Sequence, residues 1–185
     1  MDSGLVDRAR RGDHDAFERL AGAAAPRLDS VARLITGDPE LAKDAVQEAL
    51  IRAWRDLPTL RDPERFDAWL RRLLARACTD VLRRVRRHSL EIELTDMHHP
   101  RGGDPAPALA DRDLLERAFR RLDVEQRAVV VIHYYLGLPL ADVADVLEVP
   151  VGTAKSRLAR ALGTLRLALG ADAPSRRETP EGRFA

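Results

Sequence analysis

The chain is poor in the residues that most fold-specifying chemistry uses. It has one cysteine, Cys78, so an intramolecular disulfide framework and a CxxC metal clip are both excluded. No stretch approaches the roughly 18 consecutive apolar residues of a membrane helix, so no membrane insertion is expected. The opening residues, Met1 to Asp13, lack the apolar core of a secretion signal, which points to the cytoplasm. HExxH, GxSxG and a phosphate-loop glycine cluster are all missing, so no enzyme, catalytic residue, cofactor, metal or small-molecule substrate is expected. The adjacent His98 and His99 are expected to be solvated rather than metal-bound, and Cys78 to be a small buried hydrophobe.

What is present is helix-forming material. The 185 residues are 45% hydrophobic and 33% charged, which suits a globular chain and excludes wholesale disorder. Ala, Leu, Arg and Glu dominate, and sustained apolar-polar alternation is absent. A short helix is predicted over about Leu5 to Arg11, stopped by Gly12, with Asp13 capping a second helix over about His14 to Ile35. Pro26 lies inside that second span and predicts a kink or break. Gly37 ends it, Asp38 caps a third helix and Pro39 opens it. In that helix Leu41, Ala45, Ala49, Ala53 and Leu57 recur every four residues. Pro58 and Pro63 break the chain, and a fourth helix follows over about Arg65 to Arg87.

His98-His99-Pro100, Gly102-Gly103 and Pro105-Ala106-Pro107 mark residues 88–110 as a flexible linker. Helices resume at Asp111, and the tail over 171–185 reads as disordered. The fold class is therefore all-α, with two small helical domains, 1–87 and 111–170, joined by that linker.

Charge is segregated, although 31 basic residues against 30 acidic ones leave a net charge of +1. Between Arg71 and His88 stand seven arginines and one acid, Asp80, whereas Gly152 to Gly170 has four basic residues and no acid. Thr36 to Leu50 carries four acids and one base. Two basic faces and an acidic one suggest polyanion contacts and a separate protein contact.

In the C-terminal half, Val129-Val130-Val131-Ile132 is β-branched and by local propensity would suit a buried strand. Leu140, Val143, Ala144 and Leu147 then mark a two-turn helix, Glu148-Val149 a tight corner, and Pro150 the first position of a helix reaching about Leu169. Ala154, Leu158, Ala161, Leu162 and Leu165 would face inward, leaving Thr153, Lys155, Ser156, Arg157 and Arg160 outward. This pattern is a helix-turn-helix with a basic outer face, suited to phosphate and to base edges in the major groove. An ordinary amphipathic helix with a solvated basic face is the plainer alternative.

The segment LDVEQRAVVVIHYYLGLPLADVADVLEVPVGTAKSRLARALGTLR, from Leu122 to Arg166, resembles domain 4 of bacterial sigma factors, and most closely the extracytoplasmic-function (ECF) group of the sigma-70 family. Further upstream, DPELAKDAVQEALIRAWRDLPTLRDPERFDAWLRRLL, from Asp38 to Leu74, is similar to ECF domain 2. The resemblance implies a helical conformation for Val129 to Ile132. It implies −35 promoter contacts by Thr153, Lys155, Ser156, Arg157 and Arg160. It implies docking on RNA polymerase core (β and β′ subunits) by Asp44, Gln47, Glu48, Arg52 and Arg55. It further implies −10 contacts and strand opening by Arg61, Arg65, Arg71, Arg72, Arg76, Arg83 and Arg84, and an anti-sigma partner. Three positions depart from the family, one of them Arg76, which stands where asparagine is frequent. Glu148 stands where glycine is usual, costing about 1 kcal/mol if the backbone is left-handed there, and Ala154 stands in place of valine.

Asp44 and Glu48 are like charges one helical turn apart, with Ile51 outward beside them, which is mildly unfavourable unless a partner covers them. Phe66 and Trp69 could be stacking platforms, but their place on the inner stripe favours core packing. A stand-alone helix-turn-helix regulator is the competing function; it predicts a receiver or ligand domain at the N-terminus, for which the helical N-terminal half offers no signature.

Overall fold

The computed structural model describes residues 2–92 and 110–171, which contain helices and turns and no strand. The expected linker residues 93–109, with His98 and His99, and tail residues 172–185 lie outside the described residues. Helix α1 spans Ser3–Arg10, beginning before Leu5 because Asp2 caps it, its carboxylate accepting from Gly4 N at 2.9 Å. Helix α2 spans His14–Thr36, with Asp13 accepting from Ala16 N at 3.0 Å. That amide bond and the neighbouring Arg8 hold the Asp13 carboxyl below its ordinary range.

Pro26 neither breaks nor ends α2. The proline is exposed, and so is Gly22, whose carbonyl loses its amide partner. The missing hydrogen bond therefore falls on the solvent side, where its cost is least. Gly37 closes the helix at φ 72°, a left-handed cap that glycine adopts without a Cβ penalty.

Helix α3 spans Pro39–Asp56, and Asp38 accepts from Glu40 N and Leu41 N at 2.8 and 3.0 Å. Its buried side is a spine of Ala42, Ala45, Ala49 and Ala53, all fully buried. Small side chains along one stripe let α3 sit close to α2 and α4, which supply the bulk through Leu20, Leu28, Val31, Ile35, Leu70, Leu74 and Val81. Trp54 packs on Phe17 with ring centroids 5.0 Å apart, tying α3 to α2.

The double-proline break holds two short 3-10 turns, Leu57–Thr59 and Pro63–Arg65, before helix α4, Phe66–Ile92. The helix thus runs five residues past the expected end at Arg87, and His88 to Ile92 belong to it rather than to the linker. Nothing in that stretch is a helix breaker, so the charge run gave no physical reason to stop. Phe66 is buried and touches the half-buried Trp69 at 5.9 Å, so both pack rather than stand free as stacking platforms. Cys78 is fully buried, and burial pushes its thiol up to about 12.

In the second half, α5 is Ala110–Arg120 and α6 is Val124–Val130. A reciprocal capping box starts α6: Asp123 accepts from Gln126 N at 2.7 Å, and Gln126 accepts from Asp123 N at 3.3 Å. The β-branched run is helical, against its local propensity. Val129 and Ile132 are fully buried, and tertiary burial outweighs the few tenths of a kcal/mol that a β-branched residue costs a helix. The run widens into a π-turn over Val131–Tyr135, closed by Leu136 N donating to Val131 O at 3.0 Å.

Helix α7, Leu140–Leu147, ends at Glu148, with φ 51° and ψ 49°, the non-glycine residue with positive φ among the described ones. Helix α8 is Val151–Ala171. Pro150 stands just before it and accepts from Thr153 N at 2.8 Å, so it flanks the helix rather than opening it. Helices α5, α6 and α7 pack on α8, and α1 to α4 pack on one another. The two modules also touch, α6 against α2 and α7 against α4.

Candidate nucleic-acid interface

The face of α8 follows from which residues the core claims. Ala154, Ala161, Leu165 and Ala168 are buried, and this phase turns Val151, Lys155, Ser156 and Arg160 to solvent. The first turn has no acid, so the helix end presents amides and positive charge together. Among the described residues, Lys155 and Arg160 meet no carboxylate. Ser156 donates back to Thr153 O at 2.9 Å, and Arg160 Nε lies 3.4 Å from Ser156 O. Thr153 is half-buried at the start of the helix. Arg157 differs from its neighbours: its side chain is 19% exposed and its guanidinium lies 2.8 Å from Glu125 of α6.

The arginines expected to hold −10 DNA do not form one free surface. Arg61 and Arg76 are exposed and meet no acid among the described residues. Arg65 pairs with Asp62 at 3.2 Å in the turn before α4. Arg71 is half-buried beside Ala24, Leu28 and Asp67, and its Nε has no hydrogen-bond partner. Arg72 pairs with Asp142 of α7, Arg83 with Glu148 at 2.7 Å, and Arg84 with Glu48 of α3. Arg86, absent from the sequence-derived set, pairs with Glu125 at 2.9 Å; its place in the arginine run was the signal available.

The acidic side of the N-terminal module borders a groove between α3 and α4, lined by Leu41, Asp44, Gln47, Glu48, Ile51, Val81, Arg84 and Val85. Ile51 is 59% exposed and Val85 42%, so apolar surface sits in the middle of polar groups, the arrangement of a protein-binding patch. Asp44 and Gln47 face solvent, whereas Glu48 is committed to Arg52 and Arg84. Arg52 is an internal tie, bonded to Glu48 and, at 2.7 Å, to Asp80 of α4. Burial alone would lower its guanidinium, but the bond to Asp80 and the charge of Glu48 together raise it above the ordinary value. Arg55 is exposed and bonded to its neighbour Asp56, which lowers that carboxyl. Val85 was missed in the sequence because it sits inside a run of charges.

No cluster of three or more potential metal ligands occurs among the described residues, and none of the described helices is long and apolar enough to cross a membrane.

Comparison with known proteins places these surfaces in context. Residues 20–88 match the family model for sigma-70 region 2, and residues 112–165 match that for sigma-70 region 4. The chain is 36% identical over 169 residues to the ECF RNA polymerase sigma factor SigM of Mycobacterium tuberculosis, covering 91% of this chain and 85% of that one. It is 26% identical over 173 residues to the ECF RNA polymerase sigma factor SigW of Bacillus subtilis, covering 87% and 92%. Among solved structures it resembles CnrH, seen in complex with the cytosolic domain of CnrY, with a TM-score of 0.54 and 27% identity over 93% of this chain and 99% of that one. Its fold is also that of the sigma factor RpoE of Bartonella quintana, solved with the anti-sigma factor NepR, at a TM-score of 0.63 and 24% identity over 84% and 98%. A region 2 module in the N-terminal half sets aside the stand-alone helix-turn-helix regulator. The chain belongs to the ECF group of the sigma-70 family, the factors that direct RNA polymerase to promoters.

Proposed function

We propose a division of labour between the two modules, α1 to α4 and α5 to α8, in which α8 reads the −35 element and α4 with the turns before it handles the −10 element. The acid-free outer face of α8, presented by the corner at Glu148, carries this reading. Lys155 and Arg160 neutralise phosphates, while Thr153, Ser156 and Arg157 lie where a recognition helix meets base edges. Arg61 and Arg76 are available to single-stranded backbone at once. Arg65, Arg72, Arg83 and Arg84 become available as their carboxylate partners exchange for phosphate. The groove around Asp44, Gln47 and Ile51 docks the polymerase core, with Glu48 and Arg52 shaping it and Arg55 at its rim. The protein performs no covalent chemistry: binding energy toward core and two promoter elements positions DNA and stabilises open strands. It acts in the cytoplasm with the polymerase. The solved relatives bound to CnrY and to NepR support an anti-sigma protein as its antagonist.

The test is transcription in vitro with purified core on a genomic promoter library. Activity from a defined promoter set is expected, and none from any template overturns the reading. Within it, Asp44→Arg with Ile51→Glu is expected to weaken core binding at least tenfold with helicity unchanged by circular dichroism. Retained affinity in a polarisation assay removes the groove from the docking role.

A further inference from the structure

The two modules meet through charges that the proposed function needs elsewhere. Arg72 of α4 pairs with Asp142 of α7, and Arg83 places one nitrogen 2.7 Å from Glu148 and another 2.7 Å from the Leu147 carbonyl. Arg86 reaches Glu125, which at the same time holds Arg157 of α8. Arg127 of α6 lies over the C-terminal end of α2, where a Cβ on Gly37 would stand 2.6 Å from its guanidinium nitrogens. Arg127 is half-buried there, and burial lowers its guanidinium, Asp123 opposing. The buried apolar residues of both modules form one connected cluster beneath these pairs.

Two carboxylates and a helix-end carbonyl, offered to a row of arginines, present the chemistry of a phosphate backbone: anionic oxygens spaced along a guanidinium track. Glu148 is the telling member. It holds a left-handed conformation that glycine would adopt without strain, so nothing in the local backbone favours a glutamate there. Its carboxylate instead meets Arg83.

We propose that the end of α7, with Asp142, Leu147 O and Glu148, is an internal phosphate mimic that closes the free chain on itself and masks Arg72 and Arg83 until polymerase or promoter DNA displaces it. The masking rests on the DNA-contacting role proposed for those arginines; the closure does not. Because ion pairs gate it, rising salt opens the chain.

The closure is tested on the full chain alone, without polymerase or DNA, by small-angle X-ray scattering together with phenylglyoxal modification of Arg83 followed by mass spectrometry. The parent is expected to be compact in low salt and to expand as salt rises. D142R/E148R is expected to expand in low salt, and so is R72E/R83E. The fourfold swap, combining both sets, is expected to be more compact than either double variant in low salt, since it restores both of these ion pairs with the signs exchanged. If the closed form holds about nine molecules in ten, Arg83 in D142R/E148R is modified about tenfold faster than in the parent. Unchanged dimensions in D142R/E148R, or a fourfold swap as expanded as the two double variants, overturns the proposal. A chain that closes as described yet programmes no promoter overturns the promoter reading alone.

Discussion

Two arginine-bearing faces, on α4 and α8, look alike in composition and differ in what their charges do. On α4, Arg72, Arg83, Arg84 and Arg86 each meet a carboxylate from another helix, and Arg71 is half-buried. On α8, Lys155 and Arg160 face solvent with no acid within reach among the described residues, and Arg157 alone is held, by Glu125. Counting arginines therefore overstates the positive potential of one face and describes the other fairly. What sets the potential is where the acids are, and they are on helices distant in sequence.

Substitutions on the two faces should have different effects. The largest effect is expected where the α4 face depends on its core: Phe66→Ala is expected to cost about 3–5 kcal/mol in urea unfolding. A cost below 1 kcal/mol would mean that α4 is not anchored at its start. On the α8 side, Arg157→Ala is expected to weaken promoter binding by about 1–3 kcal/mol with a change in base preference. Lys155→Ala instead weakens all sequences alike and lowers the salt slope by about 1, so binding isotherms over a salt series separate the two roles.

Stability should split in the opposite sense. Arg52→Ala severs a half-buried tie to Glu48 and Asp80 and is expected to cost about 1–2 kcal/mol. Arg160→Ala, fully on the surface, stays within about 0.5 kcal/mol. Cys78 adds a pH dependence. Its folded thiol keeps its proton to about 12 while the unfolded one releases it near 9.0. Above pH 9.0 the unfolded state therefore binds fewer protons, and stability falls as pH rises, by up to about 1.4 kcal/mol per unit. The difference between the parent and Cys78→Ala in denaturant midpoints from pH 8 to 11 isolates that slope. The smallest effect is expected for Glu148→Gly. Relief of about 1 kcal/mol of backbone strain opposes loss of an exposed pair worth about 0–1 kcal/mol, and the variant gains on the parent as salt rises.

Much of the architecture was legible because its causes are local. Asp13, Asp38 and Gly37 act on the amides and carbonyls next to them, so caps and stops could be placed from the chain alone. The phase of α8 was legible for the same reason, its alanines and leucines recurring at helical spacing. Three readings needed more. Pro26 breaks nothing because its lost hydrogen bond faces solvent, and which side faces solvent is a tertiary matter. Val129 to Ile132 are helical because the core surrounds them on a helix, against their own propensity. Helix α4 runs on to Ile92 because a charge run is no terminator. At the candidate sites, the outward turn of Lys155, Ser156 and Arg160 was readable, whereas the tie of Arg157 to Glu125 and the ion-pairing state of each α4 arginine were not.

The order of residues alone determined the helical class, the caps and corners, and the basic outer stripe of α8, since each depends on neighbours within about one turn. Only the tertiary structure decided that Arg52 ties α3 to Asp80 of α4, that Arg72 and Arg83 are met by acids 70 and 65 positions away (142 − 72 and 148 − 83), and that Arg127 sits on the end of α2. The reason is physical: a charge is satisfied by whatever lies within a few ångströms of it, and only the packed chain sets that distance.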